Sequence, residues 1–338
     1  MQSNNYNTVD LLKLIGSLMI FMLHLDIFRD SATLRYPFEL LARWAVPFFF
    51  VISSFLLFSK EDPSSCNIDK QTLIKYVKRI AILYAAWFIV NLPSTIYLEL
   101  IRPGIGKIDT WVSFIKGALL SMTFAGSWYL LSSIFSAFLL FQMSKKFPTK
   151  KCILISILPF SLCLLTSAYG GLLPTGIFNI LRWLRFPLNI FGGVMYFSIG
   201  KYLFENKEQF LKRSSLLYIG LAVLFLTLYL IEIKATHIVG IYKVSDFAIS
   251  LLPLSATLAI LSIKTQLNIQ HPKELRKIST IVYCAQGNIL CAASAAKYIG
   301  INSFFIKGLM GFMLMIISIG VILYLQKDQK IRFVYYLT

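Results

Sequence analysis

An all-α fold, a polytopic bundle of about ten membrane-spanning helices, is what this 338-residue sequence predicts. Apolar residues make up 57% of the chain and charged residues only 14%, whereas a soluble domain of this size carries roughly 25% charge. Mean hydropathy is +0.71, and apolar stretches of about 18 to 22 residues recur, the length a helix needs to cross the hydrocarbon core. The cations gather between those stretches. In lipid the stretches have to be helical, because each backbone group must find its partner within its own segment.

The expected spans lie near 10–28, 38–58, 79–100, 127–143, 151–168, 187–204, 214–233, 244–264, 279–297 and 304–325. The stretch 111–124 is apolar but short and contains Lys116. It reads as an interfacial or re-entrant helix rather than a span. The first apolar run carries Asp10, Lys13 and His24 and has no small-residue cleavage site after it, so it reads as a retained helix, not a signal peptide. No internal repeat or long linker is visible. The expectation is one membrane domain over 1–338, with no separate soluble domain.

The net charge of +18 does not indicate nucleic-acid binding, because the cations follow the positive-inside pattern. With the N-terminus inside, the cytoplasmic segments hold 20 of the 33 Lys and Arg and the opposite side 11. Lys60, Lys70, Lys75, Lys78 and Arg79 form the largest cytoplasmic group. Arg29, Arg35, Arg102, Arg182 and Arg185 fall opposite. The expected orientation is therefore N-in and C-in, and a full crossing at 111–124 would invert everything after it. Cys66, Cys152, Cys163, Cys284 and Cys291 lack metal-ligand or redox spacing and read as free thiols.

Titratable residues inside a span are costly and usually functional. Lys13 and His24 are 11 residues apart, about 20° past three full turns and roughly 16 Å along the axis. Asp10 falls on the same stripe. For Lys13 the plainer alternative is snorkelling to the interface, for Asp10 a helix cap, and for His24 a packing hydrogen bond. Histidine is the natural general base near neutral pH. His237 and His271 fall in expected loops. The second span opens Arg43-Trp44-Ala45-Val46-Pro47 and runs through Phe48-Phe49-Phe50 to Ser53-Ser54, where Pro47 suggests a kink. Arg43, Arg182 and Arg185 with His24 outline an outward-facing polar site. Lys13, Lys75, Lys78 and Arg79 outline an inner cationic mouth, whose alternative is the topology signal alone.

These residues resemble the acyltransferase 3 family of bacterial membrane acyltransferases, which modify cell-surface glycans and related acceptors. The family pattern in its first span is an Arg or Lys, ten residues, and a His; here it is Lys13 and His24. Val46-Pro47-Phe48-Phe49-Phe50-Val51-Ile52-Ser53-Ser54-Phe55-Leu56 is similar to the family's proline, aromatic, serine, glycine, phenylalanine stretch, with Ser54 where Gly is usual. Tyr76-Val77-Lys78-Arg79 resembles its basic third-span opening, and Ser127-Trp128-Tyr129-Leu130 a later aromatic start. Ser279-Thr280-Ile281-Val282-Tyr283-Cys284-Ala285-Gln286 resembles its late serine, tyrosine, histidine motif, with Gln286 in place of His. Serine for glycine keeps the position small. Glutamine removes a titratable group and leaves only hydrogen bonding.

The resemblance implies an acyl-CoA donor, by family frequency acetyl-CoA, on the cytoplasmic side of a bacterial inner membrane, with a surface glycan or lipid-linked saccharide as acceptor. On that reading Lys13, Asp10 and Arg79 serve the donor phosphates. His24 acts as general base or acyl carrier, and Arg43 stabilises the oxyanion or orients the acceptor. Trp128, Arg182 and Arg185 meet the acceptor, and Asp10 pairs with Lys13. No carboxylate-rich cluster calls for a metal. A transporter or flippase for a lipid-linked sugar or organic anion is the alternative, against which stand the missing inverted repeat and paired broken helices. A non-catalytic sensor is a third reading, left open by Gln286.

Overall fold

The structure, a computed structural model, describes residues 6–60, 68–101, 103–120, 128–189, 191–327 and 331–338. Cys66, Arg102, Ser127 and residues 121–124 of the expected interfacial helix lie outside them. Among the described residues every regular element is a helix. In chain order these are α1 (Asn7–Leu25), α2 (Ala32–Ala42), α3 (Ala45–Phe58), α4 (Lys70–Ile96), α5 (Ile108–Leu120), α6 (Trp128–Ser144), α7 (Thr149–Leu165), α8 (Thr175–Trp183), α9 (Val194–Glu205), α10 (Lys207–Lys212), α11 (Ser215–Ile238), α12 (Leu251–Lys264), α13 (Pro272–Cys284), α14 (Gln286–Ala295) and α15 (Phe304–Lys327). Short 3-10 or π turns follow α4, α7, α14 and α15.

Among the described residues, four helical stretches are long and apolar enough to cross a membrane: Asn7–Leu25, Ala32–Phe58, Ser215–Ile238 and Phe304–Lys327. A fifth follows if α13 and α14, bent by 51°, count as one broken span. Helices α6 and α12 are apolar but shorter. Helices α11 and α15 each present the outward apolar surface of a lipid-facing helix. In both α11 and α15 only 17% of the apolar window is buried, and Val223, Ile231, Met313 and Ile316 stand exposed. Ser54, Ser133, Ser156 and Ser198 are buried.

Several boundaries depart from the sequence reading. The expected span 38–58 is broken at Arg43–Trp44. Pro47 is not a mid-helix kink: it lies in the first turn of α3, where its missing N–H has no helical partner to lose. The expected span 187–204 is helical only from Val194, after a cis Phe186–Pro187 bond. The expected span 244–264 is helical only from Leu251. The expected span 279–297 is cut at Ala285.

The chain folds into two compact units. One comprises residues 1–9, 43–80 and 129–268. Its core is α3 packed on α9, where the backbones meet at Gly200: a Cβ there would lie 2.3 Å from Val51 O and 2.6 Å from Ser54 Cβ. Ser54 Oγ donates to Phe197 O at 2.6 Å, so the serine keeps the crossing tight. Phe50 is wedged among Tyr129, Tyr196 and Phe197. Helix α7 flanks α9 through Ser156 and Ser198, and α12 packs on α3 and α11. Glu232 of α11 accepts the N–H groups of Ile249 and Ser250 and the hydroxyl of Tyr169, at 2.7, 2.8 and 2.8 Å. This places a carboxylate at the positive end of α12.

The other unit comprises residues 10–42, 81–128 and 269–338. Here α1 meets α15 through Phe21 and Phe312, edge to face at 5.4 Å. Gly311 admits Leu25 and Gly308 admits Ile27, contacts that a Cβ would block at about 2.6 and 2.5 Å. Asp26 closes α1 with a left-handed backbone, φ 52°, the usual geometry of a residue just past a helix end.

Candidate active site

The unbroken α1 carries Asp10, Lys13 and His24, so the expected stripe lies on one continuous helix. Its face is turned toward protein. Asp10, Ser17, Ile20 and Phe21, which flank the line from Lys13 to His24, are all buried. Ile15, on the other side of the helix, is exposed. Lys13 is half-buried, and His24, in the last turn, retains exposure.

The stripe is matched by one on α13. Arg276 donates Nε to Asp10 Oδ1 at 3.0 Å and Nη2 to Asp10 Oδ2 at 2.8 Å. Ser17 and Ser279 share a buried hydrogen bond of 3.0 Å. A step from Asp10 to Ser17 on α1 therefore goes with a step from Arg276 to Ser279 on α13, and the two helices run in the same direction. Arg276 grips both carboxylate oxygens of Asp10, a partner that the sequence reading did not name.

Gln286 stands at the break between α13 and α14 and is fully buried. Its Nε2 donates to Tyr283 O at 3.0 Å, while Oε1 has no hydrogen-bond partner among the described residues. Exchanging the two amide atoms would set Oε1 against that carbonyl, which fixes the orientation. Asn91 of α4, also fully buried, stitches the break from both sides. Its Nδ2 donates to Cys284 O at 2.9 Å and its Oδ1 accepts from Asn288 N at 3.3 Å. Asn288 Nδ2 donates to Val90 O at 2.7 Å. A helix break inside an apolar environment frees backbone groups that must be satisfied by neighbours, and two asparagines do it here.

In the other unit Arg43 meets Asp246, Nη1 to Oδ1 at 2.7 Å. Arg182 Nη1 approaches the second oxygen, Oδ2, at 3.6 Å. The structure thus brings together two of the three arginines expected at one polar site, and joins them through Asp246, which went unremarked. A carboxylate at the start of an expected span was the available signal, and counting cations alone passes over it. Arg43 lies at the break before α3 and Asp246 in the non-helical residues before Leu251, while Arg182 stands in the last turn of α8. Arg185 follows α8 with a left-handed backbone, φ 62°.

Arg79 is exposed on α4, one turn beyond Lys75, and Lys78 is exposed beside it. Burial, and then the charges of Arg79 and Lys75, hold the Lys60 ammonium below the usual lysine range. That electrostatic coupling makes Lys60, Lys75 and Arg79 one cationic cluster just past the end of α3. Trp128 is half-buried at the first position of α6. Of the other histidines, His237 stacks on Tyr242 at 3.7 Å in the last turn of α11, and His271 immediately precedes α13.

The family model described as an acyltransferase domain, that of the acyltransferase 3 family, matches residues 6–326. A curated relative, an amino-acid racemase of Enterococcus faecalis, is 26% identical over 262 residues, covering 75% of this chain and 35% of that protein. The chain thus spans about a third of that relative's length. No solved structure matches the chain.

Proposed function

Because this chain belongs to the acyltransferase 3 family, we propose that it transfers an acyl group, in the first instance acetyl, from cytoplasmic acyl-CoA to a hydroxyl of a cell-surface glycan or glycolipid precursor. The reading sets about ten crossings in a bacterial inner membrane with both termini inside. The observation that carries it is the unbroken α1, with a half-buried Lys13 and an exposed His24 on the stripe flanked by the buried Asp10, Ser17, Ile20 and Phe21.

The donor's phosphates are held by cations at the inner face. Lys60, Lys75 and Arg79 form one such group, and Lys13 provides a second anchor. Lysine serves phosphate as a compact charge. The pantetheine arm then brings the thioester toward His24. There the imidazole takes the proton of the acceptor hydroxyl as it attacks the thioester carbonyl, or carries the acyl group itself. The thiolate of coenzyme A leaves. Arg43, held by Asp246, supplies positive charge to the oxyanion or orients the acceptor. Arg182, Arg185 and Trp128 complete the acceptor side. Asp10 acts through its fork with Arg276, which fixes α1 against α13.

The test uses membranes with radiolabelled acetyl-CoA, followed by extraction of glycan and lipid. Label is expected in product with the wild type and absent with His24→Ala and His24→Gln, both of which still insert. Transfer by either purified variant removes His24 from the chemistry.

The break between α13 and α14 supports a second reading, a transporter or flippase for a lipid-linked sugar or organic anion. Discontinuous helices are common at transport sites. Translocation into vesicles without labelled product would favour it.

A further inference from the structure

The two faces of α8 meet different surroundings. Ile177, Ile180, Trp183 and Leu184 are 49%, 61%, 59% and 40% exposed. With Ile180 taken as zero, they fall between about −60° and +60° around the helix axis. Gly176, also exposed, lies in the same arc. Phe178 and Arg182 fall about 160° and 200° away, on the back of the helix. Arg182 is the one charged residue between Pro174 and Leu184, so the exposed arc carries no charge.

The back of the helix is seated on protein. Arg182 Nη1 approaches Asp246 Oδ2 at 3.6 Å. Lys243 sets its ammonium 6.0 Å from the centre of the Phe178 ring. Gly170 fits against both: a Cβ there would lie 2.6 Å from Lys243 Cγ and 2.7 Å from Phe178 Cε2. These contacts fix which way the helix faces, and they turn its apolar arc outward.

Its depth follows from α11. That helix has 24 residues, about 36 Å, enough to cross a hydrocarbon core of about 30 Å and bring its last turn to the boundary. Gly240 turns the chain just after it, at φ 76°, and Ile241 O accepts the N–H of Gly171 at 2.7 Å. Ile241 lies just past α11 and Gly171 just before α8, so α8 begins where α11 ends. Leu172, Ile238 and Val239, around this joint, are exposed. They carry the apolar outer surface of α11 toward the arc of α8.

A helix of nine residues, about 14 Å long, is too short to cross the membrane. A contiguous apolar arc turned to water is unfavourable. The boundary between headgroups and acyl chains suits a helix that is apolar and uncharged on one face and tethered to protein on the other. An indole at the edge of the arc favours the same level.

We infer that α8 is an in-plane membrane helix, whose arc of Ile177, Ile180, Trp183 and Leu184 inserts into the headgroup–acyl boundary. The partner of this surface is lipid, not a second copy of the chain. The helix then holds Arg182, on its opposite face, at headgroup level. The inference needs only that α11 crosses the membrane, and it stands apart from the acyl transfer proposed above.

The test uses the full chain in phosphatidylcholine proteoliposomes. Ile180→p-benzoylphenylalanine is expected to join phospholipid on irradiation, read as the lipid mass on the peptide that carries residue 180. The same probe at Ile231, on the exposed face of α11, is the positive control. Depth is read from fluorescence quenching by phosphatidylcholine brominated near the headgroup end or near the methyl end of its acyl chains. The Trp183 contribution is the difference between the wild type and Trp183→Phe. The shallow bromines are expected to quench it about twofold more than the deep ones. A photoproduct with a second copy in place of lipid overturns the inference, as does a lipid adduct at residue 231 with none at residue 180. Quenching by neither lipid, or as strongly by the deep bromines as by the shallow, overturns it too.

Discussion

Arg276 closes a two-pronged fork on Asp10, with hydrogen bonds of 3.0 and 2.8 Å to a carboxylate that is 4% exposed, from a guanidinium that is 50% exposed. The asymmetry decides how the pair responds to mutation. Removing the arginine strands a buried negative charge, whereas removing the carboxylate leaves a guanidinium that can turn to water.

Arg276→Ala is accordingly expected to destabilise by about 1–3 kcal/mol, below the figure for a fully buried pair because the arginine is half exposed. Asp10→Asn should cost less, and the double variant should recover part of the Arg276→Ala loss. Thermal unfolding in detergent or nanodiscs measures all three. Equal losses for the two single variants would contradict the asymmetry.

Two glycine substitutions separate close packing from helix propensity. Gly200→Ala places a methyl 2.3 Å from Val51 O and should cost about 1–3 kcal/mol by overpacking. Gly220→Ala, on α11 with nothing within 4 Å of the new Cβ, should be neutral or stabilising by up to about 1 kcal/mol. Apparent Tm values should therefore move in opposite directions.

At the helix break, Asn91→Ala removes donors and acceptors that satisfy Cys284 O and Asn288 N–H. The expected cost is about 1–3 kcal/mol, since Cys284 is buried and Asn288 partly so. Gln286→Leu deletes an acceptor with no partner among the described residues and one donor, to Tyr283 O, and should cost less, about 1 kcal/mol. Comparable losses from both would show that Gln286 shares in the stitching.

The Lys60 ammonium, held below the usual lysine range by burial and by Arg79 and Lys75, sets a pH dependence. A bound phosphate raises its pKa, so binding takes up a proton between the depressed value and the ordinary one near 10.5. Coenzyme A affinity should therefore fall as pH rises through that window. For folding the sign is opposite. The unfolded chain binds more protons there, so this residue's contribution to stability grows with pH. Calorimetry in two buffers of different ionisation enthalpy reads the proton uptake, and Lys60→Met should abolish it.

Lys13→Ala is expected to raise the apparent KM for acyl-CoA several-fold while a saturated turnover changes little, because the charge serves binding rather than the reacting carbonyl. Steady-state kinetics on reconstituted protein checks this. A fall in kcat with KM unchanged would instead place Lys13 at the chemistry.

Composition and run length by themselves determined that this chain is helical and built for lipid, because apolar length and internal backbone pairing are local properties. They also set Lys13 and His24 on one stripe, since helical periodicity acts within a single segment. The interruptions were not legible: Pro47 drew attention to the wrong position, while the breaks fell at Arg43 and at Ala285, where Asn91 and Asn288 supply what the helix gives up. The partners of the charged residues were decided only in three dimensions. Asp10 and Arg276 are 266 residues apart, and Arg43 and Asp246 are 203 apart. Their pairing follows from which helix faces meet, and a partly buried charge accepts whichever counter-charge the packing presents.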